Sequence, residues 1–326
     1  MIAIILIALA AGAASALMFA SMISGALLSV LLLYLAPLPL MVAALGWGPL
    51  YATIGGIAAA TGLGAIFGLP YCFAFVVAVA LPAWWLGHLA LLGRPVANSE
   101  AAPVNGAAAA PLPLPLEWYP VGRILLWTAG FAALTTMSVL LTLGHDAATV
   151  TNVIRHGLLL IWGRDEAISE ETKRGIDTLA TIAPAAAGIV AMMTLTLNLW
   201  LAAKITATSG RLHRPWPDLN NIALPPMTLA ALSIAIAFCF IGGLSAMLAQ
   251  IVASTLTMAY ALVGFAVLHT LTLAVKHRAL WLSCTYAVVA VFGWPVLAMA
   301  ALGLADAAFG LRQRYLQTRP PPLPAA

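Results

Sequence analysis

The first 93 residues of this 326-residue chain contain no lysine, arginine, aspartate or glutamate. A water-exposed surface cannot be built from such a segment, because soluble domains carry about 25% charged residues. The whole chain is 63% hydrophobic and only 7% charged. Apolar runs of about 20 residues, each long enough to cross a hydrocarbon core, recur along it. The sequence therefore predicts a polytopic membrane protein and excludes a soluble one.

The apolar runs also predict the fold class, an all-α transmembrane helix bundle with about eight or nine membrane-spanning segments and one amphipathic surface helix. We interpret the first run as a transmembrane helix and not as a signal peptide, because it lacks a positively charged start. Pro37 and Pro39 must break or kink the second run, which can therefore hold two helices. Crossings are predicted near residues 2–21, 23–46, 49–67, 70–92, 121–144, 178–205, 226–248, 250–275 and 279–305.

Polar segments divide the chain into two predicted halves. Residues 1–93 form the N-terminal transmembrane half, and residues 118–312 form the C-terminal one. Between them, residues 94–117 are rich in proline and alanine and predict a flexible linker. Residues 313–326, which end in "RPPPLPAA", predict a disordered tail. The loop at 145–177 holds six of the ten acidic residues and is the predicted surface loop of the C-terminal half.

The acidic loop contains a predicted helix that lies at the membrane surface. Its apolar side chains recur at helical spacing with polar residues between them, at Val150, Ile154, Leu158 and Ile161. Ser169 is followed by two glutamates and predicts the N-cap of a second helix, which runs into the next crossing.

Lysine and arginine in short loops predict the orientation, because they are retained in the cytoplasm. Arg94 and Arg123 place the linker inside. Arg211 and Arg214 do the same for the segment "RLHRPWPDLNN", which we interpret as a cytoplasmic turn stopped by prolines. An even number of crossings before the linker then puts the N-terminus in the cytoplasm.

The side of the C-terminus stays open at this point. Basic residues cluster at 276–278 and again at 312–319, and both clusters favour the cytoplasm. Only the run at 279–305 separates them. Either this run bends back as a hairpin at Gly293 to Pro295, or one basic cluster lies outside.

No catalytic signature is present in the sequence. It contains no HExxH, GxSxG, Walker loop, CxxC or GxGxxG motif. The three cysteines lie far apart in apolar runs, as packing residues do. The net charge is +4, and the charged residues are distributed unevenly among the loops, which is typical of membrane topology. The charge therefore does not indicate a nucleic-acid partner. We expect no enzymatic activity, no cofactor and no metal site.

Polar residues within or next to the predicted crossings are candidate contacts for a ligand or for other helices, because each must find a partner or face a cavity. These residues are Asn198, Gln250, Thr257, His269 and Asp306. For Asn198 and Gln250, interhelical hydrogen bonding competes with ligand contact. Asp306 can pair with Arg312 or Arg314, while His269 has either a structural or a functional role. Solute binding predicts a polar pocket lined by Asn198, Gln250 and Thr257.

Two surfaces are candidate docking sites for partner chains. Ala10 and Ala14 are small residues at four-residue spacing, which lets a helix approach another closely, inside the bundle or against a partner subunit. Asp218, Asn220 and Asn221 end the cytoplasmic turn and can hold a partner chain.

Motifs in the second half carry a family resemblance. "LNLWLAAKI", then a basic proline-rich turn with "LPP", then "GGLSAMLAQ" and "LGLADAAFGLRQRY" occur in that order. The chain thereby resembles the YybS-like family of predicted bacterial membrane proteins, a domain of unknown function. The resemblance covers most of the chain and is strongest from about residue 190 to 315.

Members of that family look like distant relatives of the substrate-binding (S) components of energy-coupling-factor transporters. The stretch "LAPLPLMVAALGWGPLYATIGGIAAATG" is similar to the second and third helices of those components. The likeness implies that the face of Ala10 and Ala14 docks a coupling subunit. It also implies a vitamin-sized ligand near the outer face.

The function hypothesis is therefore an integral inner-membrane protein in contact with the lipid bilayer. It binds a small, vitamin-like solute as a substrate-binding component, and separate subunits supply the coupling. The alternative is a membrane scaffold or assembly factor with no small-molecule ligand.

Overall fold

The structure, a computed structural model, describes residues 2–95, 116–162, 169–218 and 222–317. The helices are α1 (Ile2–Ala20), α2 (Leu27–Leu35), α3 (Pro37–Trp47), α4 (Pro49–Phe67), α5 (Leu69–Phe75), α6 (Leu81–Leu91), α7 (Val121–Leu143), α8 (Ala147–Trp162), α9 (Glu170–Thr208), α10 (Met227–Phe238), α11 (Gly243–Leu271), α12 (Arg278–Phe292), α13 (Val296–Phe309) and α14 (Leu311–Gln317). Two short strands, β1 (Gly93–Pro95) and β2 (Leu116–Trp118), pair in an antiparallel ribbon. The predicted all-α class is confirmed for this part of the chain.

Seven helical segments among the described residues are long and apolar enough to cross a membrane. They are Ile2–Ser24, Leu27–Trp47, Pro49–Phe67, Leu69–Leu91, Val121–Leu143, Glu170–Thr208 and Gly243–Leu271. An eighth span is present if α13 and α14, bent by 68° at their junction, count as one. Such a set of helices is that of a multi-pass membrane protein. The sequence predicts eight or nine crossings. The described residues hold eight at most, and only if α13 and α14 together form one crossing.

The prediction of one crossing at 226–248 is wrong. The helix that starts in this run, α10, ends at Phe238. Gly242 and Gly243 follow with positive φ angles of 86° and 64°, a backbone conformation that favours glycine. The chain turns there, and α11 begins at Gly243. Residues 243–248 therefore belong to the next crossing, which packs against α7, α9 and α13 at the centre of the C-terminal half.

The run at 279–305 is also not a single crossing. Gly293 has a positive φ of 69° and ends α12, and α13 begins after Pro295. Arg278 donates a hydrogen bond to the backbone oxygen of His269, and Arg312 donates one to that of Ile222. His269 and Ile222 line the same cavity. Arg278 and Arg312 therefore lie at one end of the bundle, as the hairpin alternative requires.

Proline breaks the second predicted crossing, as expected. Pro37 has no N–H to continue the helical hydrogen bonds, and α2 gives way to α3 at this residue. The Tyr34 backbone oxygen, just before the break, accepts a hydrogen bond of 2.7 Å from the Asn198 side-chain amide on α9. A polar side chain from a distant helix thus satisfies a carbonyl at the kink, which hydrocarbon could not do.

Two helix pairs approach so closely that a side chain would not fit between them. A Cβ atom at Gly12 on α1 would overlap the backbone of Gly55 on α4. A Cβ atom at Gly264 on α11 would likewise overlap the Met299 carbonyl oxygen on α13. Small residues let membrane helices reach such distances, where dispersion contacts accumulate. These contacts fix both α1 and α13 against the bundle.

The helix predicted within the acidic loop is present as α8. Val150 is fully buried against α7 and α11, and Ile154 packs beside it. Ile161 lies on the same predicted apolar face, yet it is 70% exposed in the chain. Arg155 forms an ion pair of 2.6 Å with Asp177 on α9. The start of α8 is therefore attached to the bundle, while the exposed apolar end is free to meet the bilayer surface.

Asp146 caps the start of α8, and its removal is expected to loosen the first turn. Its carboxylate accepts hydrogen bonds from the Thr149 hydroxyl (2.6 Å) and backbone N–H (2.8 Å). These bonds lower the pKa of Asp146 from its ordinary value of 3.8. The cap therefore stabilises α8 above the ordinary pKa and is lost as the pH falls through the lowered one. In Asp146→Ala, amide hydrogen exchange over residues 147–151 should speed up at neutral pH.

Asp146→Asn is the matched control, because asparagine also caps helices but does not titrate in this range. We expect Asp146→Asn to keep the slow exchange at neutral pH. Its first turn should not loosen further when the pH falls through the range in which Asp146 titrates in the wild type. Equal exchange in wild type and Asp146→Ala would contradict the capping role.

Both ends of the predicted linker and the first residues of the predicted tail have regular structure. Within the linker, Arg94 pairs with Glu117 across the ribbon at 2.6 Å, and the Tyr119 N–H donates to the Leu92 oxygen. The predicted tail begins too early at residue 313, because α14 continues to Gln317. Residues 96–115 and 318–326 lie outside the described residues.

Candidate ligand-binding site

An apolar cavity of about 380 Å³ lies between α7, α9 and α11, beside the loop that joins α9 to α10. It is close to the start of α7 and the ends of α9 and α11, where Arg123 and Lys204 are placed. We name it the basic-end cavity. Its volume falls within the range of about 300–1,000 Å³ that ligand sites occupy. The rings on its wall are those of Trp200, Trp216, Phe265 and Tyr286, and its aliphatic side chains include Leu125, Leu199 and Leu262.

Arg214 contributes a positive charge to the wall of this cavity. Its guanidinium donates from Nη1 to the Ala90 oxygen (3.1 Å) and from Nη2 to the Tyr119 oxygen (3.0 Å). Burial lowers the pKa of Arg214, but an arginine keeps its proton in proteins. Arg214 therefore ties the loop to the two chain segments that enclose the linker, and it remains a cation at the cavity.

The segment "RLHRPWPDLNN" forms a turn between α9 and α10, as predicted, over its described residues 211–218. The Arg211 guanidinium lies 4.6 Å from the Trp47 ring, and the Lys204 ammonium lies 4.3 Å from the Trp216 ring. Cation–π contacts of this kind are strongest where water is excluded. The turn is thus held against the ends of α3 and α9, and it covers one side of the cavity.

A hydrogen-bonded chain links three side chains, Arg278, His269 and Tyr286, of which His269 and Tyr286 line the cavity. The His269 Nε2 lies 2.8 Å from the Tyr286 hydroxyl. Nη2 of Arg278 lies 3.4 Å from the His269 Nδ1 and donates to the His269 backbone oxygen at 3.1 Å. Tyr286 also stacks on Phe265, with ring centroids 5.2 Å apart. This chain joins α12 to the end of α11.

Two threonines complete the polar lining. The Thr128 hydroxyl donates to the Ile124 oxygen (2.9 Å), and the Thr196 hydroxyl donates to the Met192 oxygen (2.8 Å), each within its own helix. Among the described residues, the lining contains no aspartate or glutamate. The cavity can therefore accept a mainly apolar molecule with a hydrogen-bond acceptor or a negative charge.

Asn198, Gln250 and Thr257, the residues of the predicted polar pocket, line neither the basic-end cavity nor the second cavity described below. The Asn198 amide is bonded to the Tyr34 and Thr194 oxygens. The Thr257 hydroxyl donates to its own helix, at the Ala253 oxygen. Gln250 lies on α11 about 28 Å along the axis from His269. Of the five candidate contacts, His269 alone lines the basic-end cavity.

Asp306 lines a second cavity of about 370 Å³, next to the prolines that precede α10. Its carboxylate accepts from Nε (2.9 Å), Nη2 (2.6 Å) and the backbone N–H (2.9 Å) of Arg312. The side chains of Asp306 and Arg312 are 8% and 11% exposed. Arg312 also donates to the Ile222 oxygen at 2.8 Å. This arrangement holds the loop, α13 and α14 together, as a structural pair does.

The candidate docking residues lie on separate surfaces. Ala10 is exposed on α1 and Ala14 is half-buried, whereas the contact between α1 and α4 uses Gly12, so Ala10 remains accessible on the surface of the described chain. Asp218 is exposed in the turn. Asn220 and Asn221 lie outside the described residues.

Sequence reasoning did not identify Tyr286 at the cavity or the contact of Arg278 with His269. Tyr286 stands in an apolar run, where a tyrosine is an ordinary interfacial residue. The available signal was the spacing of Arg278 and Tyr286 by eight residues, about two helical turns, which puts both near one face of α12.

Among the described residues, no group of three histidine, cysteine, aspartate or glutamate side chains is arranged to hold a metal ion. Comparison of the chain with protein-family models, with curated proteins and with solved structures finds no match. The function must therefore be argued from the cavity and the fold.

Proposed function

We propose that this protein is a non-enzymatic, multi-pass protein of the bacterial inner membrane that binds a small, mainly apolar solute in the basic-end cavity. The observation that carries the proposal is the cavity itself, about 380 Å³ in volume, with apolar walls and the cation of Arg214. Binding sites for small molecules typically combine apolar walls with a few placed polar groups.

The arrangement of the helices supports a cytoplasmic N-terminus. Phe19 at the end of α1 contacts Tyr71, and Tyr71 also contacts Phe67 at the end of α4, so α1 and α4 run in the same direction. Arg211 packs on Trp47, the last residue of α3, which lies two residues before the start of α4. The starts of α1 and α4 therefore lie at the end that carries the basic loops, and the positive-inside rule assigns this end to the cytoplasm.

We further propose that the chain works as a substrate-binding component whose coupling subunits are separate chains, as its YybS-like resemblance predicts. One detail of that resemblance changes. It implies a ligand near the outer face, whereas the basic-end cavity lies toward the cytoplasmic leaflet in this orientation. The exposed face of Ala10 is available for a coupling subunit.

The test is purification of the tagged protein from its native membrane in mild detergent, with mass spectrometry of co-purifying chains and small molecules. We expect one recurrent solute with the wild type. Ala266→Phe should displace it, because Ala266 lines the cavity and the added ring fills part of the space. Ala230→Phe is the matched control, because Ala230 is exposed on α10 away from this cavity, and it should retain the solute.

A coupling subunit with ATPases among the co-purifying chains would support the transport role. Reproducible partners of another kind, together with no solute in wild type, would overturn the proposal and favour the scaffold alternative. Equal solute retention by Ala266→Phe would show that the solute does not occupy this cavity.

A further inference from the structure

The protonation of His269 can be read from its neighbours. Arg278 has only hydrogen-bond donors, so the His269 Nδ1 that faces its guanidinium must be an acceptor and carry no proton. In the neutral imidazole, the proton then resides on Nε2. Nε2 donates it to the Tyr286 oxygen, 2.8 Å away. The hydrogen bonds thus run in one direction, from Arg278 through His269 to Tyr286.

This direction leaves the hydroxyl hydrogen of Tyr286 without an assigned acceptor among the described residues. A tyrosine hydroxyl has one hydrogen to donate, and its oxygen already accepts from His269. Tyr286 and His269 both line the basic-end cavity. The hydroxyl is therefore a donor oriented by its neighbours and available to a molecule in the cavity.

The charge near this donor is not neutralised within the described part of the chain. Arg278 is half-buried, its Nε is buried without a hydrogen-bond partner, and no described carboxylate forms an ion pair with it. Arg278 does not line the cavity itself and contacts it only through His269, whereas Arg214 places a cation in the cavity wall. An unpaired cation at an apolar site is costly, and a negatively charged group nearby offsets that cost.

We propose that the ligand of the basic-end cavity is a carboxylate-bearing amphiphile with a single short chain or ring system, held by a hydrogen bond from Tyr286 to its carboxylate. This inference rests on the proposed function, because it names the chemistry of the solute in the same cavity. The apolar body lies against Phe265, Leu262 and Leu199. A volume of about 380 Å³ is at the small end for ligand sites and suits one chain better than a two-chain lipid.

Decanoate that carries a photoreactive diazirine is the probe, applied to the purified full-length chain in nanodiscs. Cross-linked peptides are identified by mass spectrometry. We expect labelling on the α11 peptide that contains Phe265 and Ala266. Unlabelled decanoate should compete, whereas decylamine should not, because the described lining offers its cationic head the guanidinium of Arg214 and no carboxylate.

Tyr286→Phe removes the donor and leaves the ring stacked on Phe265, so the concentration for half-maximal labelling should rise about tenfold. Tyr34→Phe, a half-exposed tyrosine outside the cavity, is the control and should label like wild type. His269→Leu should weaken labelling as Tyr286→Phe does. His269→Gln should restore much of it, because its amide N–H can donate to Tyr286 in place of Nε2.

The outcomes separate the two proposals. If Tyr286→Phe labels as strongly as wild type, or decylamine competes as well as decanoate, the cavity binds solutes but the assigned ligand class is wrong. Stronger competition by decyl phosphate than by decanoate would overturn the choice of carboxylate and indicate a lipid phosphate. If the cavity is not labelled in wild type and Ala266→Phe changes nothing, the proposed function itself fails.

Discussion

Gly264→Ala is expected to lower the thermal unfolding midpoint of the purified protein in mild detergent by several degrees or more. The new methyl group would overlap the Met299 carbonyl oxygen on α13. A backbone oxygen in a helix cannot rotate away as a flexible side chain can, so α11 and α13 must separate. Overpacking of this kind costs about 1–3 kcal/mol and occasionally more. Separation of α11 and α13 also removes the close backbone contacts along the two helices.

Gly130→Ala is the matched control, because a Cβ atom at this helical position in α7 would have no neighbour within 4 Å. Alanine is the better helix former by about 1 kcal/mol, so this variant should be neutral or slightly more stable. Equal thermal unfolding midpoints for Gly264→Ala and Gly130→Ala would contradict the close packing of α11 against α13. Gly303→Ala should repeat the effect from the other side, because its Cβ atom would overlap the Tyr260 oxygen.

Asp306→Ala is expected to destabilise the fold by about 3–5 kcal/mol, because it leaves the buried Arg312 guanidinium without its carboxylate. The two side chains are 8% and 11% exposed, so water cannot replace the lost partner fully. The carboxylate also accepts the Arg312 backbone N–H, which links α13 to α14. Denaturant or thermal unfolding in detergent measures the loss.

The exposed pair of Arg94 and Glu117 provides the comparison, with side chains 78% and 51% exposed. Glu117→Ala should cost less than about 1 kcal/mol, because exposed ion pairs contribute little. The double variant Asp306→Ala with Arg312→Met should be more stable than Asp306→Ala alone, since it also removes the buried guanidinium that has lost the Asp306 carboxylate. Equal unfolding midpoints for all three variants would show that the buried pair of Asp306 and Arg312 does not stabilise the fold.

The positions of most crossings could be predicted from the sequence, because hydrocarbon thickness sets the length of an apolar run. The break at Pro37 was predictable for an equally local reason, the missing N–H. The break at Gly242 and Gly243 was not, since hydropathy averages over a window and does not register two positive φ angles. A run that is apolar on both sides of such a turn looks like one span.

The candidate site was less predictable, because its contacts join residues that are distant in sequence. Asn198 could be identified as a buried polar residue, but its partner is the carbonyl of Tyr34, 164 positions away. The cavity role of His269 depends on Tyr286 from another helix, and that of Arg214 on carbonyls at both ends of the linker. The pairing of Asp306 with Arg312 could be predicted, since the two are six residues apart.

The ribbon of β1 and β2 gives the chain a permissive point for insertion. Gly93 pairs with Trp118, and Arg214 is bonded to the carbonyls of Ala90 and Tyr119 on either side. Pro95 and Leu116, the described residues on either side of the intervening sequence, are therefore paired neighbours, so the length of that sequence does not set the spacing of α6 and α7. Each doubling of a loop costs only about 0.6 kcal/mol in closure entropy. A reporter domain placed there, or a cut that leaves two co-expressed fragments, should leave the membrane bundle assembled.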